Sequence, residues 1–209
     1  MTKELVIVFV KNIKLGKVKT RLAKTIGDQG ASEVYSALVK ITENATENVK
    51  SDKRIYFSDA VVDSKWINDY KTVQNGHNLG ERMKNAFLKG FEDGYDRIIL
   101  IGSDLPDINS SHIENGLEGL KAHDVVFGPA EDGGYYLVGL SKMHAFIFEN
   151  KPWSQSNLLE ETLNELKENE IAFTTLDVLN DIDTFEDLKA SSFYKNNEAL
   201  QLKIKQLND

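Results

Sequence analysis

Residues 97–106 read RIILIGSDLP, an apolar, β-branched run that stops at a polar turn. Such a run is typical of a strand that is buried on both faces of a sheet. Residues 5–10 (LVIVFV) have the same character, and a helical pattern of apolar residues follows them after a polar loop. Because strands and helices alternate in this order, the sequence predicts an α/β fold with a mainly parallel sheet.

The remaining chain continues the alternation. Further strands are predicted over residues 54–58, 125–127, 135–140 and 172–176, and further helices over residues 79–91, 113–120, 157–168 and most of the tail. No internal repeat and no linker rich in proline, glycine and serine interrupts this pattern. The sequence therefore predicts a single domain over residues 1–209.

The composition argues against several classes of function. The 209 residues carry a net charge of −8, so a general affinity for nucleic acid is not expected. The chain contains no cysteine, which excludes disulfides, thiolate metal sites and a cysteine nucleophile. The apolar run at residues 5–10 is too short for a membrane span or a signal sequence. We therefore expect a cytoplasmic protein without a membrane span.

A basic segment follows the first predicted strand. Residues 11–22 read KNIKLGKVKTRL, which is rich in lysine although the whole chain is acidic. In an open α/β sheet, ligands bind beyond the carboxyl ends of the strands, where this segment lies. Gly16 allows the chain to bend, and Lys19 and Arg21 are suited to bind phosphate oxygens. From the residues alone, Lys11, Lys14 and Lys17 are interpreted as surface charges.

Asp104 directly follows the strand predicted over residues 97–102. A carboxylate there would face the same crevice, and Mg²⁺ is usually bound by one or two carboxylates together with phosphate oxygens. An aspartate that opens a turn before Pro106 explains the same residue without a ligand. The spacing alone leaves both interpretations open.

Residues 128–136 read GPAEDGGYY. Gly133 and Gly134 allow the backbone either to approach a ligand closely or to adopt a positive φ. Asp132 is placed to accept hydrogen bonds from the hydroxyl groups of a sugar or acceptor. Tyr135 begins a strand, and one of the two tyrosines is expected in the core. A plain hairpin turn is the alternative, although it does not account for the proline and the glutamate.

Residues 181–188 read DIDTFEDL, close to the C-terminus. Thr184 and Asp187 have the spacing of a helix-capping box, with aspartate in place of the usual glutamate or glutamine. These two residues are therefore predicted to be structural. Asp183 is left free to point elsewhere.

Together these segments resemble a known bacterial family. The motifs that carry the resemblance are GKVKTRL, LGERM, GSDLP, GPAEDGGYYLVGL and DIDTFEDL, which span most of the chain from residue 5 to about residue 188. They are similar to the GT-A-like transferases associated with radical-SAM and selenodomain systems, which are generally regarded as glycosyltransferases. More distantly, they resemble molybdenum cofactor guanylyltransferases, phospholactate guanylyltransferases and CMP-sugar synthetases. Ile13 departs from the family, which usually has proline at that position.

The resemblance implies a Rossmann-like three-layer sandwich with a mixed, mainly parallel sheet, of the nucleotide-diphospho-sugar transferase (GT-A) type. It also implies that the loop after the first strand holds the nucleotide phosphates. The predicted phosphate-binding residues are Lys11, Gly16, Lys19, Thr20 and Arg21.

The resemblance also implies a metal site and an acceptor side. In such folds the acid of the GSDLP motif binds Mg²⁺ or Mn²⁺, which implies Asp104, and similarity to CMP-sugar synthetases implies Asp183 as a second ligand. Asp104 and Asp132 are the predicted catalytic residues. Gly133, Gly134 and Tyr135 are predicted to line the acceptor side.

Three functions remain open on the sequence alone. The first is a Mg²⁺-dependent glycosyltransferase that uses a nucleotide-diphospho-sugar donor and a small-molecule acceptor, which the family resemblance favours slightly. The second is a nucleotidyltransferase that attacks the α-phosphate of a nucleoside triphosphate and releases pyrophosphate, which the basic loop favours. The third, and least favoured, is a non-catalytic module that binds nucleotide sugars.

Overall fold

Seven strands form one sheet in the computed structural model, which describes residues 2–208. The strands are β1 (Glu4–Val10), β2 (Asp52–Phe57), β3 (Tyr70–Val73), β4 (Arg97–Ile101), β5 (Val125–Pro129), β6 (Tyr135–Leu140) and β7 (Phe173–Thr175). Their order across the sheet is β3-β2-β1-β4-β6-β5-β7. Strand β6 is antiparallel to both of its neighbours, and the other pairs are parallel. The sheet is therefore mixed and mainly parallel, as predicted.

Helices cover both faces of the sheet. They are α1 (Thr20–Glu47), α2 (Leu79–Glu92), α3 (Ser110–Gly119), α4 (Leu158–Glu168), α5 (Phe185–Ala190), α6 (Ser192–Lys195) and α7 (Glu198–Asn208), with a 3₁₀ turn at Ala145–Phe148. Side chains of α1 and α3 pack on one face of β1 and β4, and side chains of α2, the 3₁₀ turn and α4 pack on the other. This arrangement confirms the three-layer prediction.

The C-terminal helices add a further layer outside α1. Leu188 of α5 and Leu200 and Ile204 of α7 are buried against the outer side of α1, together with Ile182. Ile182 lies between two aspartates, so its burial fixes the segment that carries both carboxylates. The tail helices therefore anchor one wall of the candidate site.

Local capping explains where several helices begin. Asn109 and His112 form a capping box at the start of α3, and Thr184 and Asp187 form the predicted one at the start of α5. The side chain of Asn78 accepts a hydrogen bond from the Glu81 amide at the start of α2. None of the helices among the described residues is both long enough and apolar enough to cross a membrane.

Two features differ from the sequence prediction. Strand β3 was not predicted, because its four residues lie on the edge of the sheet and none of them is buried. The apolar periodicity that predicts helix α1 covers residues 34–49, whereas the helix begins at Thr20. Its non-helical Gly27 marks a kink between two helical parts. The first part, from Thr20, begins directly at the basic loop.

Candidate functional site

The strand register brings the basic loop and Asp104 together. Strands β1 and β4 are neighbours, with Val8 opposite Ile101, so the segments that follow them leave the same edge of the sheet. The segments that carry Asp104 and the lysines after Val10 therefore start side by side, although about ninety residues separate them in the sequence. The sheet topology, rather than sequence proximity, assembles this part of the site.

Lys19 lies between the two aspartates that were predicted to bind a metal. Its ammonium nitrogen is 3.1 Å from Oδ2 of Asp104 and 3.3 Å from Oδ1 of Asp183. Arg21 adds a contact of 3.3 Å to the second oxygen of Asp183. The structure therefore joins one predicted phosphate ligand directly to both predicted metal ligands.

The charges at this cluster are strongly coupled. The side chain of Lys19 is only 5% exposed, whereas those of Asp104 and Asp183 are 36% and 40% exposed. Burial alone would lower the pKa of Lys19, but the carboxylates of Asp104 and Asp183 raise it above its ordinary value. Burial likewise opposes ionisation of Asp104, yet the charge and hydrogen bond of Lys19 hold the pKa of Asp104 below its usual range. The ion pair is therefore fully charged at neutral pH.

Asp181 is a third carboxylate at the same place. Burial, and then the negative charge of Asp104, raise its pKa to about 6, and Asp183 and Asp132 contribute in the same direction. Asp181 was not singled out from the sequence. The alternation D-I-D is the signal that could have found it, since residues two apart in an extended segment share a face while Ile182 points into the core.

The carboxylates of the site carry the hard oxygen atoms that Mg²⁺ and Mn²⁺ prefer as ligands. In this structure, one oxygen each of Asp104 and Asp183 is directed at the ammonium nitrogen of Lys19, which lies between them. Asp181 adds further negative charge that a single lysine does not balance. No preformed cluster of three or more potential metal ligands occurs among residues 2–208. The carboxylates could therefore hold a cation only together with phosphate oxygens or other non-protein ligands, so the metal stays a prediction.

The basic loop ends at the N-terminus of α1. Gly16 has the positive φ, 72°, that the predicted bend requires, and Lys19 itself has a left-handed conformation with a φ of 46°. No side chain caps the N-terminus of α1. Residues 17–21, including Thr20 and Arg21, line a cavity of about 310 Å³, which we call the loop cavity. An uncapped helix N-terminus surrounded by lysine and arginine is suited to bind an anion.

A wider cavity adjoins the loop cavity. We call it the wide cavity; its volume is about 680 Å³, and Lys11, Gln74, Leu79, Arg82 and Asp104 are among its lining residues. The guanidinium of Arg82 donates to the carbonyl of Gly76, and its neighbour Glu81 accepts hydrogen bonds at the start of α2. Lys11, predicted to bind phosphate, lines this cavity and the loop cavity.

A third cavity lies on the other side of Asp104. We call it the aromatic cavity; its volume is about 310 Å³, and Asp132, Gly134, Tyr135 and Trp153 are among its lining residues. Oδ1 of Asp132 accepts a hydrogen bond of 2.8 Å from the Gly134 amide, which shapes the turn. Tyr135 packs against Phe127 of β5. As expected, one tyrosine of the pair, Tyr136, lies in the core.

Gly133 has a packing role that the sequence left open. Its φ is 87°, and a Cβ atom at this position would overlap the carbonyl oxygen of Ser156. Gly133 is not among the residues that line the aromatic cavity, whereas Gly134 is. Of the two explanations for the paired glycines, positive φ and close approach to protein backbone account for Gly133. Its predicted contact with an acceptor stays a prediction.

Residues 149–157, which we call the tryptophan loop, complete the aromatic cavity with Trp153, Ser154 and Gln155. Ser154 has a φ of 65°, an uncommon conformation for a residue other than glycine. The buried ammonium of Lys151 pairs with Glu165 of α4 and holds the loop from below. This loop was not predicted, because nothing in the stretch KPWSQS matches a motif.

Tyr35 of α1 holds the other side of the site in place. Its hydroxyl lies 2.8 Å from the hydroxyl of Ser103, which is buried next to Asp104. The same oxygen accepts a hydrogen bond from the Lys11 amide. Burial raises the pKa of Tyr35 to about 12, so the phenol stays protonated. Tyr35 therefore ties the segments after β1 and β4 to α1.

Comparisons with known proteins agree with this architecture. A protein from Desulfovibrio desulfuricans G20, provisionally named a nucleotide-diphospho-sugar transferase, is 31% identical, and the alignment covers 99% of each chain with a TM-score of 0.86. The inositol-1-phosphate CTP transferase of T. maritima is 15% identical, with 98% of this chain and 97% of that chain covered and a TM-score of 0.55. The fold is therefore that of the nucleotide-diphospho-sugar transferases, as the resemblance implies.

The family follows from the sequence match. A model of the family described as uncharacterized protein conserved in bacteria (DUF2064) matches residues 50–155. The chain belongs to this family. Among curated relatives, the 2-phospho-L-lactate guanylyltransferase of Methanocaldococcus vulcanius is 26% identical over 189 residues, which cover 87% of this chain and 82% of the relative.

Proposed function

We propose that the protein is a nucleotidyltransferase that transfers a nucleoside monophosphate from a nucleoside triphosphate to a small acceptor. The observation that carries this proposal is the buried Lys19 between Asp104 and Asp183 at the uncapped N-terminus of α1. Lys17 and Arg21 line the loop cavity beside this cluster and would bind a polyphosphate, and the two carboxylates are suited to a cation. The relatives of the protein include guanylyltransferases, which supports nucleotidyl transfer over glycosyl transfer.

In the proposed reaction, an acceptor oxygen forms a bond to the α-phosphorus while the bond between that phosphorus and the bridging oxygen to the β-phosphate breaks. Pyrophosphate leaves, and a hydroxyl acceptor loses its proton to solvent. Lys11, Lys17 and Arg21 line the loop cavity and would bind the departing phosphates, where positive charge stabilises the developing negative charge. Lys19 would hold Asp104 and Asp183 in position.

Asp104 and Asp183 would hold Mg²⁺ or Mn²⁺. When bound, such a cation neutralises phosphate charge at the reacting centre. A glycosyltransferase would instead break the bond between sugar and phosphate and release a nucleoside diphosphate. The provisional description of the Desulfovibrio desulfuricans relative favours that second candidate.

The released product separates these two candidates. The purified protein is incubated with each nucleoside triphosphate or nucleotide-diphospho-sugar, with Mg²⁺ or with EDTA, together with a mixture of small alcohols and phosphate esters as acceptors. We expect pyrophosphate from one triphosphate, and no pyrophosphate with EDTA. Release of a nucleoside diphosphate from a nucleotide sugar would support glycosyl transfer instead.

Two variants test the site itself. Asp104→Asn should lower pyrophosphate release by about a thousandfold, the order expected when a metal ligand at a reacting phosphate is lost. Asp107→Asn changes an exposed carboxylate three residues further along and should leave the rate unchanged. Nucleotide binding that ignores both Mg²⁺ and Asp104 would instead indicate a binding module without this catalytic site.

A further inference from the structure

The three cavities around Asp104 differ in charge. Among the described residues, four cationic side chains and two carboxylates line the loop cavity, and four cationic side chains and two carboxylates line the wide cavity. The aromatic cavity has the opposite balance, since Lys11 is its one cationic residue within the described chain. Its carboxylates are those of Asp104, Asp132, Asp181 and Asp183.

The remaining walls of the aromatic cavity are largely apolar. Trp153 and Tyr135 provide aromatic surfaces, and Leu79, Met83 and Leu158 are among the aliphatic contributors. A cation held by Asp104 and Asp183 would still leave Asp132 and Asp181 facing this space. Asp132 is exposed and lines the cavity, and only one of its carboxylate oxygens accepts the hydrogen bond from the Gly134 amide.

We propose that the aromatic cavity binds the acceptor, and that this acceptor is an uncharged or cationic molecule with an apolar ring or chain beside its nucleophilic group. This inference rests on the proposed function and specifies its second substrate. A phosphate monoester carries about two negative charges at neutral pH. Such an acceptor would meet uncompensated carboxylates in the aromatic cavity, because the cationic groups lie on the nucleotide side of Asp104.

Such an acceptor would differ from the molecule after which the guanylyltransferase relatives are named. The name 2-phospho-L-lactate describes a molecule with a phosphate and a carboxylate. Both groups need cationic partners, and Lys11 alone provides one at the aromatic cavity of the described chain. The attacking group in this protein is therefore a hydroxyl, and Trp153 determines which apolar body fits beside it.

Tryptophan fluorescence tests the charge preference directly. The chain has two tryptophans, and Trp66 is buried against Thr46 away from the three cavities. In a Trp66→Phe variant, the emission therefore reports on Trp153 alone. The probes are benzyl alcohol, benzylamine and benzyl phosphate, titrated in the presence of Mg²⁺ and saturating pyrophosphate, which blocks the cationic side. If Trp66→Phe does not fold, the unaltered protein is compared with Trp153→Phe.

We expect benzyl alcohol and benzylamine to change the emission of Trp153 at concentrations at least about tenfold below those that benzyl phosphate requires. The double variant Asp132→Asn with Asp181→Asn should bring benzyl phosphate to within about twofold of benzyl alcohol. Glu131→Gln is the matched control, because Glu131 is exposed and adjacent but does not line the cavity, and it should leave the ranking unchanged.

Two results would overturn the inference. One is benzyl phosphate binding as tightly as benzyl alcohol, and the other is no response of Trp153 to any probe. The pyrophosphate assay distinguishes failure of the acceptor inference from failure of the proposed nucleotidyl transfer. If pyrophosphate is released only with phosphate-ester acceptors, the acceptor inference fails while nucleotidyl transfer stands. If the probe ranking holds but no triphosphate is turned over, nucleotidyl transfer fails instead.

Discussion

Two loops close the candidate site from opposite sides, and different interactions hold them. One is the basic loop, residues 11–19, which we now call the lysine loop. It is fixed by charge, through the ion pairs of Lys19. In the tryptophan loop, the ion pair of Lys151 with Glu165 is joined by a contact of shape, because the backbone at Ser156 packs directly onto Gly133. Charge can be screened or titrated, whereas close packing of backbone cannot. The two loops should therefore respond differently to mutation and to pH.

The largest expected effect is on the contact of shape in the tryptophan loop. In Gly133→Ala, the new Cβ would meet the Ser156 carbonyl, and the backbone would have to keep a φ of 87°. We expect the free energy of unfolding to fall by about 3 kcal/mol or more. Urea denaturation measures this change.

Gly94→Ala is the matched control for Gly133→Ala. Gly94 also has a positive φ, 84°, but a Cβ there would have no atom within 4 Å. Only the conformational strain remains, and it should cost about 1 kcal/mol. Equal losses in the two variants would show that packing against Ser156 does not hold the tryptophan loop.

The next largest effect is on the loop that is held by charge. Lys19→Met would leave Asp104 and Asp183 without their shared partner, and we expect stability at neutral pH to fall by about 2–3 kcal/mol. The carboxylates are partly exposed, which keeps the loss below that of a fully buried pair. Lys17→Met, at an exposed position of the same loop, should change stability by less than about 0.5 kcal/mol. A loss in Lys19→Met no larger than that in Lys17→Met would show that the ion pairs of Lys19 do not hold the loop.

The two loops also differ in how far the sequence reveals them. The lysine loop and Asp104 follow apolar strands directly, so strand prediction and the rule for ligand positions in α/β sheets locate them. The aromatic cavity combines Leu79, Tyr135 and Trp153, which come from segments that only the fold brings together. Strand β3 was missed for a related reason, since an exposed edge strand has no buried run to detect it by.

A smaller effect on stability is expected from Asp181, which lies near the carboxylates of Asp104, Asp132 and Asp183. Its folded-state pKa of about 6 lies above the ordinary value of 3.8, so the folded state keeps this proton while the unfolded state loses it. Stability should therefore fall as pH rises from about 4 to about 6, by about 2 kcal/mol after allowance for partial exposure. Asp181→Asn should remove this loss and be more stable than the parent at neutral pH.

The comparison across pH tests this assignment. The urea midpoints of the parent and of Asp181→Asn should converge near pH 4. Below that pH, Asp181 is protonated in both the folded and the unfolded state of the parent. Asp177→Asn changes an exposed carboxylate of the same segment and should follow the parent at every pH. Equal stability of the parent and Asp181→Asn at every pH would show that burial and the neighbouring charges do not disfavour the ionised form of Asp181.

The smallest expected effect concerns the hydrogen bond that supports the lysine loop from α1. Tyr35→Phe removes the hydroxyl that joins Ser103 to the Lys11 amide, and we expect a loss of about 1 kcal/mol, the usual net value of a buried hydrogen bond. Ser103→Ala should cost about the same. Because each single variant leaves the other partner unsatisfied, the double variant should cost clearly less than the two losses added together.

Additive losses would show that the two hydroxyls do not act as a unit, and that α1 supports the segment of Asp104 through apolar packing alone. Tyr70→Phe provides the control, since Tyr70 is 60% exposed on the edge strand β3 and should show no loss. If the losses from Tyr35→Phe and Ser103→Ala are not additive, two kinds of interaction hold the lysine loop. Ion pairs fix its end at Lys19, and a neutral hydrogen bond fixes its start at Lys11. Salt should then loosen the end of the loop before its start, whereas the contact of Ser156 with Gly133 in the tryptophan loop should not respond to salt.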